Sequence, residues 1–358
     1  MSTDPTLSGS MRAAVMYGAG DVRLESVPRP RILEPGDAVV RITASCICGS
    51  DLHPYHRGLG ALASKRAGHE FVGVVEEVGS DVATVRPGDF VIAPFAISDG
   101  TCVNCVNGIT TSCLHGSFWG GTDDTGHALD GGQGEYARVP LADGTLVAVP
   151  GGEPDAALVP HLLALSDVMG TGFHAATTAR VGAGSRVVVV GDGAVGLCGV
   201  LSARLLGAER IIAMSRHPQR QAIATQFGAT DVVTSRGEKG VDEVRELLDG
   251  LGADSVLECV GSEESMKQAA DSARPGGFVG FVGAPSGSLP TGALFSRNLH
   301  FAGGVAPVRR YLPELLGRVL DGSLRPGAVF DSRLRLDQVA AGYRSMDART
   351  AIKVMLTP

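Results

Sequence analysis

The sequence predicts an α/β protein of two parts, one β-rich and one a doubly wound parallel sheet with crossover helices. Three observations carry this. Short apolar runs separated by turns follow one another from Met11 to about Leu146. After Pro150 the rhythm changes to strand, helix, strand, with apolar runs at residues 187–190, 211–214, 256–260 and 278–282 and helical stretches of about a dozen residues between them. The 358-residue length also suits about two domains at roughly 100 to 200 residues each.

In the first part, strands are expected over residues 13–17, 38–43, 71–78, 90–93 and 135–139, at the spacing of a barrel-like or all-β unit. Beyond residue 301 the pattern is mixed, with a helix expected over 311–319 and a terminal strand over 351–356. Residues 1–10 are polar and read as a flexible tail.

Composition excludes several classes. Glycine is present 50 times, about twice the roughly 7% of an average protein. These residues are scattered among Val, Ala, Leu and Ile, so neither a collagen repeat nor a flexible linker accounts for them. The 31 Lys and Arg against 38 Asp and Glu give a net charge of −7 without a long run of one sign, which argues against a nucleic-acid partner. The longest apolar stretches, such as 187–190 and 194–206, fall short of the roughly 20 residues of a membrane span. The first ten residues lack the charged start and apolar core of a secretory signal, so a cytoplasmic location is expected. In that setting an odd count of seven cysteines, with Cys102, Cys105 and Cys113 crowded into one loop, points to metal binding rather than disulfides.

Gly191, Gly193 and Gly196 form G-D-G-A-V-G between the apolar run 187–190 and the helical stretch 194–206. This context makes a weak motif a strong one, the signature of a Rossmann dinucleotide site. The first glycine permits a tight turn, the second lets the backbone approach a pyrophosphate, and the third lets helix and strand pack closely. Gly191, Gly193, Ala194, Val195 and Gly196 are therefore expected at the cofactor, with the helix N-terminus offering amides and a positive dipole. About 20 residues on, an acidic residue would bind the ribose hydroxyls of NAD. The sequence has Ser215, Arg216 and His217 there, with Arg220 one turn later. A small hydroxyl with guanidinium groups suits a 2′-phosphate, so NADP(H) is expected over NAD(H).

Gly68, His69, Glu70, Gly73, Gly79 and Val82 stand at the spacing G-H-E-x2-G-x5-G-x2-V, Cys48 lies upstream in C-G-S-D-L-H, and G-G-Q-G-E-Y spans Gly131 to Tyr136. Together with the glycine turn, these resemble the zinc-containing alcohol dehydrogenases of the medium-chain dehydrogenase/reductase family, from about Met11 to the C-terminus. The resemblance implies a GroES-like β-rich catalytic domain over 11–167, a Rossmann domain over 168–301 and a return to the catalytic domain over 302–358. It further implies a catalytic zinc held by Cys48, His69 and, in L-S-D-V-M-G, Asp167, with Glu70 coordinating transiently or standing behind the ligands and Asp51 orienting His69. Thiolate, imidazole and carboxylate are competent zinc ligands, and three of them leave a position open. Cys102, Cys105 and Cys113 fall on a lobe that in the family carries four cysteines around a structural zinc; Asp99 takes the first position. Cys46, Cys198 and Cys259 read as core cysteines.

The same resemblance makes Ser50 and His53 a relay carrying the alcohol's proton outwards, with His56 as a fallback, and puts Lys353 at the cofactor pyrophosphate. It implies an NADP(H)-dependent alcohol dehydrogenase or carbonyl reductase acting on a small-molecule alcohol or carbonyl, with substrate and nicotinamide meeting between the domains, and a homodimer or homotetramer. A polyol, sugar or aminocyclitol dehydrogenase on the same scaffold is the alternative, and a non-catalytic NADPH-binding protein a more distant one. Phe118, Trp119 and His127 lie in a segment expected to shape the pocket, although such aromatics are more often core.

Overall fold

The computed structural model describes residues 9–284 and 287–358. It divides into two compact units, one comprising Met1–Asp167 with Pro307–Pro358 and the other Val168–Ala306. Among the described residues, no helix is long and apolar enough to cross a membrane.

In the first unit, a seven-stranded sheet runs in the order Val147–Ala148, Phe90–Ala93, Phe71–Val78, Ala38–Cys46, Val354–Thr357 and Ser332–Arg335, with Tyr136–Val139 also paired to Ala38–Cys46. The central strand Ala38–Cys46 thus has Phe71–Val78 along one side. Its other side is shared by Tyr136–Val139 over its first half and the C-terminal strand over its end. Ala38, Val40, Ile42, Phe71, Val75, Val91 and Trp119 pack one core. Gly73 faces Ile42 where the register shifts, and a Cβ there would lie 2.1 Å from the Arg41 carbonyl, so the bulge requires a residue without a side chain. A smaller sheet pairs Asp21–Pro28, Ser10–Gly18 and Lys65–Arg66.

The second unit is a six-stranded parallel sheet in the order Asp231–Val233, Arg210–Met214, Arg186–Val190, Ala253–Glu258, Ala273–Phe281 and His300–Gly303. Numbered along the chain, this is 3-2-1-4-5-6, the Rossmann order, which reverses between the first and fourth strands. Val188, Ile212, Val256 and Val279 are wholly buried between the layers, each contributing roughly 1.5–3 kcal/mol by leaving water. The switch point lies at the C-terminal end of Arg186–Val190, where the glycine turn begins.

Several sequence boundaries move, each for a local reason. Residues 1–8 of the expected tail lie outside the described residues, and Ser10 already belongs to the first strand, opposite Pro28. The strand expected over 256–260 ends at Glu258, because the Glu258 carboxylate takes the amides of Val260 and Gly261 at 2.9 and 2.8 Å and turns the chain. The terminal strand begins at Val354 rather than 351, since Asp331 captures the amides of Ile352 and Lys353. The return to the first unit comes at Pro307 rather than 302, because His300–Gly303 extends the parallel sheet beside Phe278–Phe281.

Candidate functional site

The first cluster is built at the end of the strand Ala38–Cys46. Ser45 lies opposite Phe71 on one side, and Cys46 lies opposite Met355 on the other. Glu70 and Lys353, each one or two residues before these partners, therefore arrive at the same strand end from opposite directions. The chain then turns through the 3-10 helix Gly49–Asp51, with the Asp51 carboxylate accepting from the Cys48 amide at 2.9 Å. Asp167 enters immediately before the helix Val168–Thr178.

Cys48, His69, Glu70 and Asp167 each offer a donor atom within 4.8 Å of the others. Cys48 Sγ lies 3.7 Å from Asp167 Oδ2, and His69 Nε2 lies 3.4 Å from that oxygen and 3.9 Å from Glu70 Oε1. The other ring nitrogen, His69 Nδ1, stands 3.3 Å from Asp51 Oδ1, the orienting contact expected of Asp51. Behind it, Gln133 Nε2 donates to Asp51 Oδ2 and to the Cys46 carbonyl, while the Tyr343 hydroxyl donates to Gln133 Oε1. Gln133 and Tyr343 are support that spacing did not reveal. Burial disfavours the charged form of His69, yet the carboxylates of Asp51 and Asp167 raise it well above the ordinary histidine value.

Two features show that this donor set suits a divalent cation. Glu70 is fully buried, and its Oε2 has no hydrogen-bond partner among the described residues. Ionised Cys48, Asp51, Glu70 and Asp167 would carry four negative charges against two positive charges from Lys353 and a protonated His69, leaving two to be offset. Burial pushes the Cys48 thiol up, with Glu70 and Asp167 adding to it, so a nearby cation is needed to hold the thiolate.

Lys353 corrects the sequence reading. Its ammonium is 1% exposed, lies 2.6 Å from Glu70 Oε1 and faces the Ile47 carbonyl at 3.5 Å, so it serves the metal cluster rather than a pyrophosphate. Burial opposes its charge, but Cys46, Glu70, Cys48 and Asp167 raise its pKa well above the usual lysine value.

Ser50 and His53 are both exposed, in the Gly49–Asp51 turn and the helix Leu52–Arg57 that follows Cys48. His56, the fallback, is committed to Asp347 at 2.6 Å. Trp119 is core, with its indole donating to the Pro94 carbonyl. Phe118 is half-exposed and stacks on Phe95 at 6.3 Å, and Phe95 in turn meets the His69 ring edge-on at 6.3 Å. Phe95 had no sequence signal.

The second cluster gathers Asp99, Cys102, Cys105 and Cys113, whose donor atoms also lie within 4.8 Å of one another. Asp99 Oδ1 accepts from the amides of Thr101 and Cys102 at 2.8 and 2.9 Å. Against the cost of burial, these amides hold its carboxyl down to about 2. Cys102 and Cys113 approach to 3.9 Å between sulfurs, longer than a disulfide.

The third site belongs to the second unit. Gly191 adopts φ +116°, and a Cβ at Gly196 would lie 2.0 Å from the Gly191 carbonyl, so turn and helix pack as closely as the motif predicts. Gly193 is exposed, and a Cβ added to it would meet no atom within 4 Å. It caps the helix Ala194–Leu205 without a side-chain partner for the first amides. Ala194 and Val195 are half-buried beside it. This open cradle fits a pyrophosphate. Arg216 is exposed, but Ser215 and Arg220 are not free for a phosphate as expected. Ser215 Oγ donates to Asp192 Oδ2 at 2.9 Å, and Arg220 Nη1 donates to Asp192 Oδ1 at 3.1 Å. Asp192 lay in the motif as an unassigned residue.

Comparison with known proteins agrees with this geometry. Residues 34–151 match the alcohol dehydrogenase GroES-like domain, and residues 194–320 match the zinc-binding dehydrogenase domain. A zinc-type alcohol dehydrogenase B from Aspergillus flavus is 33% identical over 99% of this chain and 82% of its own. The alcohol dehydrogenase TADH from Thermus sp. ATN1 superposes with a TM-score of 0.88 at 34% identity, covering 97% of this chain and 99% of that one. A zinc-binding dehydrogenase from Sinorhizobium meliloti 1021, solved bound to NADP, gives 0.81 at 27% identity over 98% of this chain and all of its own. A buried thiolate, imidazole and carboxylate set on a GroES-like unit, joined to a Rossmann sheet with an intact glycine turn, places this chain in the zinc-containing alcohol dehydrogenases of the medium-chain dehydrogenase/reductase family.

Proposed function

We propose that this oxidoreductase interconverts an alcohol and its ketone or aldehyde, using a pyridine nucleotide held at Gly191–Gly196 and a zinc ion held by Cys48, His69 and Asp167. The observation that carries the reading is the four-donor cluster with the unpartnered Glu70 Oε2 at its edge. When bound, the zinc would supply Lewis acidity to the substrate oxygen.

The chain's own residues divide the remaining work. Asp51 fixes the His69 ring so that Nε2 faces Asp167, and Gln133 with Tyr343 fixes Asp51. Glu70 and Lys353 set the charge around the donors. Ser50 takes the hydroxyl proton of the alcohol, and His53, exposed on the next helix, passes it to solvent. Phe95 and Phe118 offer a stacked aromatic wall beside His69. That wall favours a substrate with an apolar substituent over a polyol or sugar. Asp99, Cys102, Cys105 and Cys113 would hold a second, structural zinc. For the cofactor, Ser215, Arg216 and Arg220 pointed to NADP(H), and the Sinorhizobium relative binds NADP, but the position of Asp192 favours NAD(H).

The test is a panel of secondary alcohols, ketones, aldehydes and polyols followed by nucleotide absorbance, with zinc measured on the same preparation. Turnover of apolar alcohols or carbonyls that is lost in Cys48→Ser together with one zinc per chain is the expected result. Polyol turnover alone would shift the reading to the polyol class. Full turnover by a zinc-free Cys48→Ser protein would overturn it.

A further inference from the structure

We propose that Asp192, inside the glycine turn, takes over the ribose-binding task of the acid missing from the end of the second strand, and thereby selects NAD(H) over NADP(H). The inference rests on the reading that this turn binds a pyridine nucleotide.

Parallel pairing brings the two places together. Val190 is in register with Met214, so the residues just beyond the two strands, Gly191–Asp192 and Ser215, emerge side by side at the switch point of the sheet. There Asp192 is 8% exposed and Ser215 is 2% exposed. Ser215 Oγ donates to one carboxylate oxygen and Arg220 Nη1 to the other, at 2.9 and 3.1 Å. Burial works against the Asp192 charge, but Ser215 and Arg220 together hold its carboxyl below the usual range, so it is ionised at neutral pH.

This arrangement reverses what the side chains mean when read one by one. Serine has one hydroxyl proton, and Ser215 gives it to Asp192, leaving none for a phosphate oxygen. Arg220 has its charge offset by Asp192 at contact distance. A 2′-phosphate brought to this strand end would approach a fixed carboxylate through a partly desolvated environment, with the exposed Arg216 as the remaining cation of the trio. The hydroxyls of an unphosphorylated ribose are donors, and each oxygen of Asp192 keeps a lone pair beyond the one it uses. The carboxylate therefore discriminates in the same sense as an acid at the strand end, from a different position in the sequence.

The experiment measures the dissociation constants of NADH and NADPH for the purified holoprotein by calorimetry, with no alcohol present. NADH is expected to bind at least about tenfold more tightly. In Asp192→Asn the charge is lost with the shape kept, and the ratio of the two constants is expected to move toward NADPH by about tenfold or more, through weaker NADH and tighter NADPH. Tighter NADPH than NADH in the parent protein would overturn the proposal. So would a parallel weakening of both nucleotides in Asp192→Asn, which marks a merely structural role. If that variant fails to fold, the parent ratio and competition by ADP against 2′,5′-ADP decide, with ADP expected to compete better. Absence of any nucleotide binding by folded parent protein would instead remove the underlying reading, and this proposal with it.

Discussion

Lys353 and Glu70 stand 283 residues apart in the chain and 2.6 Å apart in the fold, both essentially unexposed. The C-terminal strand brings the lysine to the end of Ala38–Cys46, where the Gly68–His69–Glu70 segment arrives from the other side. A buried ion pair of this kind adds little over an apolar pair, but breaking it leaves one charge stranded. Lys353→Met is expected to cost about 3–5 kcal/mol in urea unfolding of the zinc-loaded protein, and Lys353→Met combined with Glu70→Leu to recover most of that loss. A single variant within about 1 kcal/mol of the parent would show that Glu70 does not depend on Lys353.

The two donor clusters lead to a metal count. With both filled, the purified protein is expected to carry two zinc ions per chain by elemental analysis. Asp99→Ala should lose one of them and keep the other, since Asp99 contributes to the cysteine cluster and has no part in the Cys48 cluster. His69→Ala should lose the other ion and leave the cysteine lobe filled. One zinc per parent chain, undiminished in Asp99→Ala, would exclude an occupied lobe.

The parts legible in the sequence are those in which neighbours along the chain act together. The glycine turn was readable because strand, Gly191, Gly193, Gly196 and helix are contiguous, and Gly73 and Gly196 are demanded by backbone atoms a fixed few residues or one strand away. Cys48, His69, Asp167 and the orienting Asp51 were readable through the family resemblance. What was hidden depends on pairing across the fold. Nothing in a local window links Lys353 to Glu70, or Tyr343 through Gln133 to Asp51. Asp192 was visible as a carboxylate within the motif, and the missing acid at the end of the second strand was the signal that could have singled it out. Its hydrogen bonds to Ser215 and Arg220 emerge only once Val190 is set beside Met214.

The exposed position of His53 makes the proton relay testable without disturbing a core. His53→Gln is expected to lower kcat for alcohol oxidation by at least about tenfold, approaching the range of a lost general base. Added imidazole should restore part of the rate in the variant and leave the parent unaffected, and nucleotide Kd should not change. Unaltered kcat across the neutral pH range would route the proton elsewhere.

Acid stability should depend on a cluster that shares no residue with the metal donors. Arg138 is 3% exposed and is held between Asp37, at 3.1 Å, and Asp123, two carboxylates that are themselves 1% and 6% exposed. Burial raises the Asp123 carboxyl, but Arg138, Thr125 and the His127 amide outweigh it and lower it to about 2. A carboxyl lowered in the folded state stabilises the fold above its unfolded value, about 3.9, and loses that contribution as pH falls through the folded value. The stabilisation from Asp123, about 2 kcal/mol, is therefore expected to be complete above about pH 5 and to disappear between about pH 4 and pH 2. Asp123→Asn should be less stable than the parent by about that amount at about pH 6, with the difference shrinking toward about pH 2 in urea titrations. A constant difference between the two proteins over that whole range would show that the pairing with Arg138 contributes by packing and not by charge.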